Sequence, residues 1–213
     1  MSKHKRSVKM SRRRRRIRQT ARKLFFLTGA AAVAAGLVLA DKAGFFGIAP
    51  ESDWDKYHTR KFKVVRIIDG DTLDIDCPDG RFRRTRIRLL GVDTPETVKP
   101  DTPVEYFGPQ ARRFTESAVM GRTVTLNLDR MRTRDTYHRL LAYVIGPGGT
   151  NLNERIIATG CGYADPRFRH PLMRKFKQAQ VEAMKARTGL WEQAEDADLP
   201  YYYRGKLKIP RAE

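Results

Sequence analysis

Three runs of strand character follow one another between Lys61 and Leu90, separated only by short acidic turns, and that spacing predicts strands linked as hairpins. Phe62-Lys-Val-Val-Arg-Ile-Ile is rich in branched residues, Leu73-Asp-Ile-Asp alternates, and Pro78-Asp79-Gly80 supplies a hairpin turn before a third strand from Arg81 to Leu90. In that third strand Thr85, Ile87 and Leu89 share one face, and Arg84, Arg86 and Arg88 share the other, because successive side chains point to opposite sides. One face therefore seeks a core, while the other presents a solvated face that attracts phosphate.

The chain then changes period. Gly108-Pro109-Gln110 opens a helix with proline in its first turn, Ala111, Phe114, Ala118 and Val119 mark its buried side, and Gly121 ends it. Val124, Leu126 and Leu128 alternate as a fourth strand, and Leu140 to Ile145 forms a fifth, closed by Gly146-Pro-Gly-Gly. Asn151 with Glu154 makes a capping pair for a short helix that stops at Gly160, and Pro171 opens a last helix running to about Thr188. Five strands with a helix between the third and fourth predict an α+β fold: a five-stranded OB-fold β-barrel with about three α-helices. No internal repeat is visible.

The strand ends carry the chemistry. Arg88-Leu-Leu-Gly91-Val-Asp93-Thr94-Pro95-Glu96 brings a permanent fork of donors and two carboxylates into one stretch, and Gly91 and Pro95 argue for a strand running into a rigid turn. Alone, such a set is most often a surface ion pair. Beside it stands Ile68-Asp69-Gly70-Asp71-Thr72-Leu73, a second acidic turn between strands, so Asp71 and Asp93 offer hard oxygen ligands from two strand ends to one divalent cation. There is no Cys or His cluster with zinc spacing.

Together these motifs resemble the staphylococcal nuclease (thermonuclease) family. Asp-Gly-Asp-Thr at 69–72, Arg-x-x-x-x-Asp-Thr-Pro-Glu from Arg88 to Glu96, and Asp135-Thr-Tyr-His-Arg139 followed by Leu-Ala-Tyr stand in that family's order. The loop from Glu96 to Gly108-Pro109 has the family's length, and the resemblance covers roughly residues 60–192. It implies a calcium ion (Ca2+) held by Asp71, Asp93 and the Thr94 carbonyl. Glu96 would act as general base or position the attacking water, Arg88 would bind the phosphoryl oxygens, and Arg139 would stabilise the developing charge or the leaving oxygen. The activity implied is phosphodiester hydrolysis of DNA and RNA with little sequence preference. The alternative is a non-catalytic OB-fold module that binds single strands; the intact acidic set speaks for the enzyme.

Some positions depart from the family pattern. His138 stands before Arg139 where glycine is common, and could restrict the turn, add a donor to phosphate, serve as a catalytic acid, or be an exposed turn histidine. Leu140 follows where a small or varied residue is usual. Thr136 replaces a lysine, and the family's pair of nucleotide-contacting tyrosines is matched only with a gap over Tyr163-Ala-Asp-Pro-Arg-Phe168.

Charge divides the chain into a tail and a body. Twelve of the 43 Lys and Arg fall in the first 23 residues, with no acid before Asp41; from there 31 basic residues face 24 acidic ones, a moderate excess suited to polyanions. The basic arm 1–23 precedes a 17-residue apolar run, 24–40, about 26 Å long as a helix and just short of a bilayer core. The positive-inside bias places the arm in the cytoplasm and the domain outside. Val38-Leu-Ala40 fits a signal peptidase site, which would release a secreted or periplasmic domain. Phe45-Phe46-Gly47-Ile48 continues the apolar character and favours an uncleaved membrane anchor. A linker is expected over 41–59, the nuclease-like domain over 60–193, and a loosely packed extension over 194–213, whose Tyr201 to Tyr203 could stack on bases. A third reading, a tethered scaffold using its basic surface on anionic lipid or cell-wall polymer, accounts for the arm but not for the ordered motifs. Cys77 and Cys161 are too few for a disulfide framework, and two separate thiols are expected. A self-contained barrel needs no partner, so a monomer is expected.

Overall fold

In the computed structural model, which describes residues 28–29, 31–39, 52–97 and 103–209, the expected strands close on themselves. In chain order they are β1 (Lys61–Asp69), β2 (Thr72–Ile75), β3 (Thr85–Leu89), β4 (Val92–Asp93), β5 (Thr123–Leu128), β6 (Leu140–Ile145) and β7 (Tyr163–Ala164). The helices beside them are α1 (Asp53–Tyr57), α2 (Gly108–Val119), α3 (Leu152–Ala158) and α4 (Met173–Lys185). The barrel runs β1-β2-β3-β6-β5 and back to β1, with β3 and β6 parallel and the other pairs antiparallel. This is the five-stranded OB-type barrel predicted from the alternation. A separate antiparallel pair, β4 with β7, was not foreseen.

Alternation sets the inside of the barrel. Thr85, Ile87 and Leu89 are buried and Arg86 between them is exposed, while Leu73, Ile75, Leu126, Leu140 and Val144 complete the same core. The third strand begins at Thr85 rather than Arg81. Its register explains the difference: β2 ends at Ile75, which pairs with Thr85, so residues 81–84 have no strand to pair with. Helix α2 lies on β1 through Ala111, Thr115 and Val119, and the Thr115 hydroxyl donates to the Gly70 carbonyl at 2.5 Å, tying the helix to the first acidic turn. Asn151 caps α3 by accepting from the Glu154 amide at 3.2 Å, as expected.

Two stretches expected to be loose belong to the packed unit, which begins at Ser52. Ser52 caps α1 through the Asp55 amide, and Tyr57 is fully buried with its hydroxyl 2.9 Å from that of Thr85, so the linker gives way to helix well before residue 59. At the other end Leu199 is buried beside Tyr163, Leu190 and Trp191, with Tyr203, Leu207 and Ile209 packed against them, because a second apolar cluster under α4 needs the tail to cover it, and Tyr202 is buried as well. Of the apolar segment 24–40, residues 28–29 and 31–39 are described and helical; the basic arm 1–23 and residues 40–51 lie outside the described residues. No helix among the described residues is long and apolar enough to cross a membrane. Cys77 is half-buried and Cys161 buried, and both are free thiols.

Candidate active site

Where β3 ends, Asn153 of α3 fixes the exit. Its Oδ1 accepts from the Val144 amide at 2.9 Å, and its Nδ2 donates to the carbonyls of Leu90 at 2.9 Å and Ala142 at 3.1 Å. Gly91 then takes φ +74°, a conformation open to glycine, and a Cβ there would collide with the ring of buried His170. The chain turns through β4 and delivers Asp93 and Thr94 beside the β1–β2 turn. That approach is close: a Cβ on Gly70 would lie 2.7 Å from Thr94 Oγ1.

All six residues singled out in the sequence, Asp71, Arg88, Asp93, Thr94, Glu96 and Arg139, line one cleft of about 640 Å³. Asp71 is buried, accepts from the Thr72 hydroxyl at 2.8 Å and the Thr94 amide at 3.0 Å, and pairs with Arg88 Nη1. The other guanidinium nitrogen of Arg88 meets Asp93 Oδ1 at 2.5 Å, so the two carboxylates converge on a single positive charge. Asp93 Oδ2 accepts from Arg167 at 2.9 Å and from the Tyr202 hydroxyl at 2.8 Å. Thr94 Oγ1 is buried without a hydrogen-bond partner. Glu96 Oε1 accepts from the Thr97 amide at 3.0 Å, and its neighbour Asp69 is pushed up to about 6, first by burial and then by the Glu96 carboxyl beside it.

Arg139 reaches the cleft from the turn before β6. Asp135 accepts from its backbone amide at 2.9 Å and from Nε at 2.6 Å, and the guanidinium lies 5.5 Å from the centre of the exposed Tyr137 ring. His138, between them, adopts φ +61°, which explains why glycine suits that position. It is exposed and lines the neighbouring groove, away from the cleft that holds Glu96.

The family model for staphylococcal nuclease homologues matches residues 86–193. Among curated proteins the chain is 38% identical over 133 residues to a thermonuclease of Staphylococcus hyicus, a match covering 61% of this chain and 75% of that one. It is 41% identical over 134 residues to a thermonuclease of Staphylococcus intermedius, covering 62% and 76%. An uncharacterized endonuclease of Escherichia coli O157:H7 is 32% identical over 143 residues, covering 67% and 83%. This chain belongs to the staphylococcal nuclease family.

Within this staphylococcal nuclease homologue, several cleft residues escape sequence reasoning. Asp69 and Asp135 were visible only as members of motifs, yet one neighbours Glu96 and the other holds Arg139. Arg167, Phe168 and Arg169 come from the loop where the tyrosine match broke down, and all line the cleft. The gap itself was the available signal. Tyr163, the other end of that imperfect match, is a core residue, packed edge-on against Trp191 with ring centres 5.6 Å apart. Tyr202, read with Tyr201 and Tyr203 as able to stack on bases, is buried, and its hydroxyl meets Asp93.

Proposed function

We propose that the chain is a calcium-dependent nuclease that hydrolyses phosphodiester bonds of DNA and RNA with little sequence specificity. The observation that carries this reading is the convergence of Asp71 and Asp93 on one cationic group in a cleft that also holds Glu96 and Arg139. Thermonucleases among the relatives point the same way.

The donor set fits a hard cation. Two carboxylates already share a positive charge, the Thr94 carbonyl would join them, and Thr94 Oγ1 is a further buried oxygen without a hydrogen-bond partner. Among the described residues there is no group of three or more His, Cys, Asp or Glu able to hold a metal by themselves, so backbone and water oxygens must complete the shell. When bound, calcium would neutralise phosphoryl oxygens and thereby admit the nucleophile.

Arg88, which pairs with both carboxylates, would turn to the phosphate when a cation takes its place between them, since its fork of donors matches two phosphoryl oxygens. Glu96 either accepts a proton from the attacking water or holds that water in line. As the new P–O bond forms and the old one breaks, Arg139 stabilises the charge gathering on the phosphoryl and leaving oxygens. Phosphate and base faces rather than base edges would be contacted, so any sequence is accepted. The basic arm and apolar run support an exported domain, tethered by an uncleaved helix or released after Ala40.

The test is cleavage of single-stranded DNA by the full chain with calcium and with chelator, beside Glu96→Gln. Calcium-dependent cleavage that falls about 10²–10⁴-fold in Glu96→Gln while strand binding persists supports the reading. Tight binding with no cleavage under any divalent metal overturns it in favour of a binding module.

A further inference from the structure

A second groove, about 900 Å³, adjoins the cleft and shares Arg86, Tyr137 and Arg139 with it. Its far end is the hairpin tip between β2 and β3. There the backbones of Asp79 and Phe82 bond to each other in both directions, at 2.9 and 3.0 Å, around Gly80 at φ +55°. A tip closed this way holds its side chains in place.

Two features of this face call for a ligand. The first is charge. Asp74 is already paired with Arg86, and Asp79 with Arg134, at 2.9 and 2.7 Å, so Arg66, Arg81, Arg83 and Arg84 are balanced within the groove only by Asp76. The second is a pair of exposed rings set among those cations. Phe82 is 60% exposed with the Arg81 guanidinium 5.2 Å from its centre, and Tyr137 is 79% exposed beside Arg139. Guanidinium forks suit phosphate, and open aromatic faces suit bases that have left a stack.

We propose that this groove is a binding path for single-stranded nucleic acid, holding the nucleotides beyond the phosphate that is cut. The inference rests on the nuclease reading of the cleft and extends it along one strand. Because Arg139 and Tyr137 belong to both depressions, a strand leaving the cleft enters the groove without a break. Duplex is excluded from this mode, since Phe82 and Tyr137 can stack only on unpaired bases.

The experiment uses the full chain and Arg81→Ser/Arg83→Ser/Arg84→Ser in the same background, without divalent metal. Fluorescence anisotropy follows binding of oligothymidylates of about 3 and about 20 nucleotides over a range of salt. On the long strand the variant should bind about tenfold more weakly and lose about 2 from its salt slope, about 0.7 for each phosphate contact removed. On the short strand the two proteins should bind alike. Phe82→Ala should weaken long-strand binding without changing the slope. Equal affinity and slope for the long strand overturns the proposal. So does a variant that keeps its oligonucleotide affinity but loses binding to phosphatidylglycerol vesicles, which would make this face a lipid surface. Failure of the nuclease reading shows separately: wild-type protein that binds the long strand with the expected slope but cleaves nothing in calcium leaves the binding path standing.

Discussion

The Tyr202 hydroxyl donates to Asp93 Oδ2 at 2.8 Å, joining the C-terminal tail to the strand end that carries a proposed calcium ligand. Arg167 meets the same oxygen at 2.9 Å and lies over the Tyr202 ring, so Asp93 is gripped on the side away from Arg88. Burial first, and the Asp93 charge after it, push the Tyr202 hydroxyl above the usual tyrosine range and keep it a donor. Groups that orient a ligating carboxylate typically matter about 10–100-fold for metal affinity. Tyr202→Phe removes only the donor and should weaken calcium binding about tenfold by calorimetry, with the unfolding midpoint nearly unchanged. Unaltered calcium affinity in a folded Tyr202→Phe protein would show that the tail contact is structural.

Arg134 joins three parts of the chain. Its guanidinium donates to Asp53 of α1 at 2.7 and 2.6 Å, to Asp79 at the hairpin tip at 2.7 and 3.0 Å, and to the His138 carbonyl at 2.9 Å. The hydrogen bond from Arg134 is the largest influence holding the Asp53 carboxyl below its ordinary value. Because the folded carboxyl is the stronger acid, this contribution is full above pH 3.8 and is lost as pH falls below it. The partners are half-buried, so Arg134→Gln should cost about 2 kcal/mol, between an exposed and a buried pair, measured by urea unfolding. Arg134→Lys should recover less than half, since an ammonium cannot serve two forks. A loss that shrinks to nothing at neutral pH would refute the network.

Most of the barrel was legible because its cause is local. Ile87 and Leu89 alternate with Arg86 and Arg88, and burial follows that alternation residue by residue. That the six candidate residues would meet was legible for a different reason, since they stand in ordered motifs at two strand ends and in the turn before β6, and one cleft gathers them. What escaped depends on contacts distant in the chain. The start of β3 is set by where β2 ends, the pairing of β4 with β7 by Gly91 and the loop before α4, and the packing of the tail by an apolar cluster that needs covering. None of these leaves a periodic mark on its own segment.

His170 gives the fold a pH dependence of definite sign. The ring is buried against Gly91 with Nδ1 2.8 Å from the Tyr143 hydroxyl, and burial lowers its pKa below 6.5 despite the charges of Asp165 and Asp129. Below pH 6.5 the unfolded chain therefore takes up a proton before the folded one, and stability falls as pH drops, by at most about 1.4 kcal/mol per unit for one group. Asp69, pushed up to about 6, tilts the profile the other way, and His58, lowered mainly by burial, tilts it the same way. The difference between wild type and His170→Asn isolates the ring. Urea unfolding at about pH 7.5 and about pH 5.5 should show a smaller acid loss in the variant; identical losses would mean that His170 titrates normally.

Asn153 is the point at which fold and site depend on the same side chain. It is fully buried, and its amide closes three hydrogen bonds, to Val144, Leu90 and Ala142. Asn153→Ala leaves a donor and two acceptors buried with one partner fewer each, a change expected to cost about 3 kcal/mol. Asn153→Asp keeps the shape and the acceptor for Val144 but sets a carboxylate against the Leu90 and Ala142 carbonyls, so it should be at least as harmful. Leu90 lies just before the Gly91 turn, which aims Asp93 and Thr94 at Asp71. In the fraction of Asn153→Ala that remains folded, calcium affinity should therefore drop as well, which a purely distant loss of stability would not produce. Urea unfolding and calcium calorimetry on the same preparation separate the two effects: a stability loss under about 1 kcal/mol would contradict the clasp, and a large loss with wild-type calcium affinity would confine Asn153 to the fold.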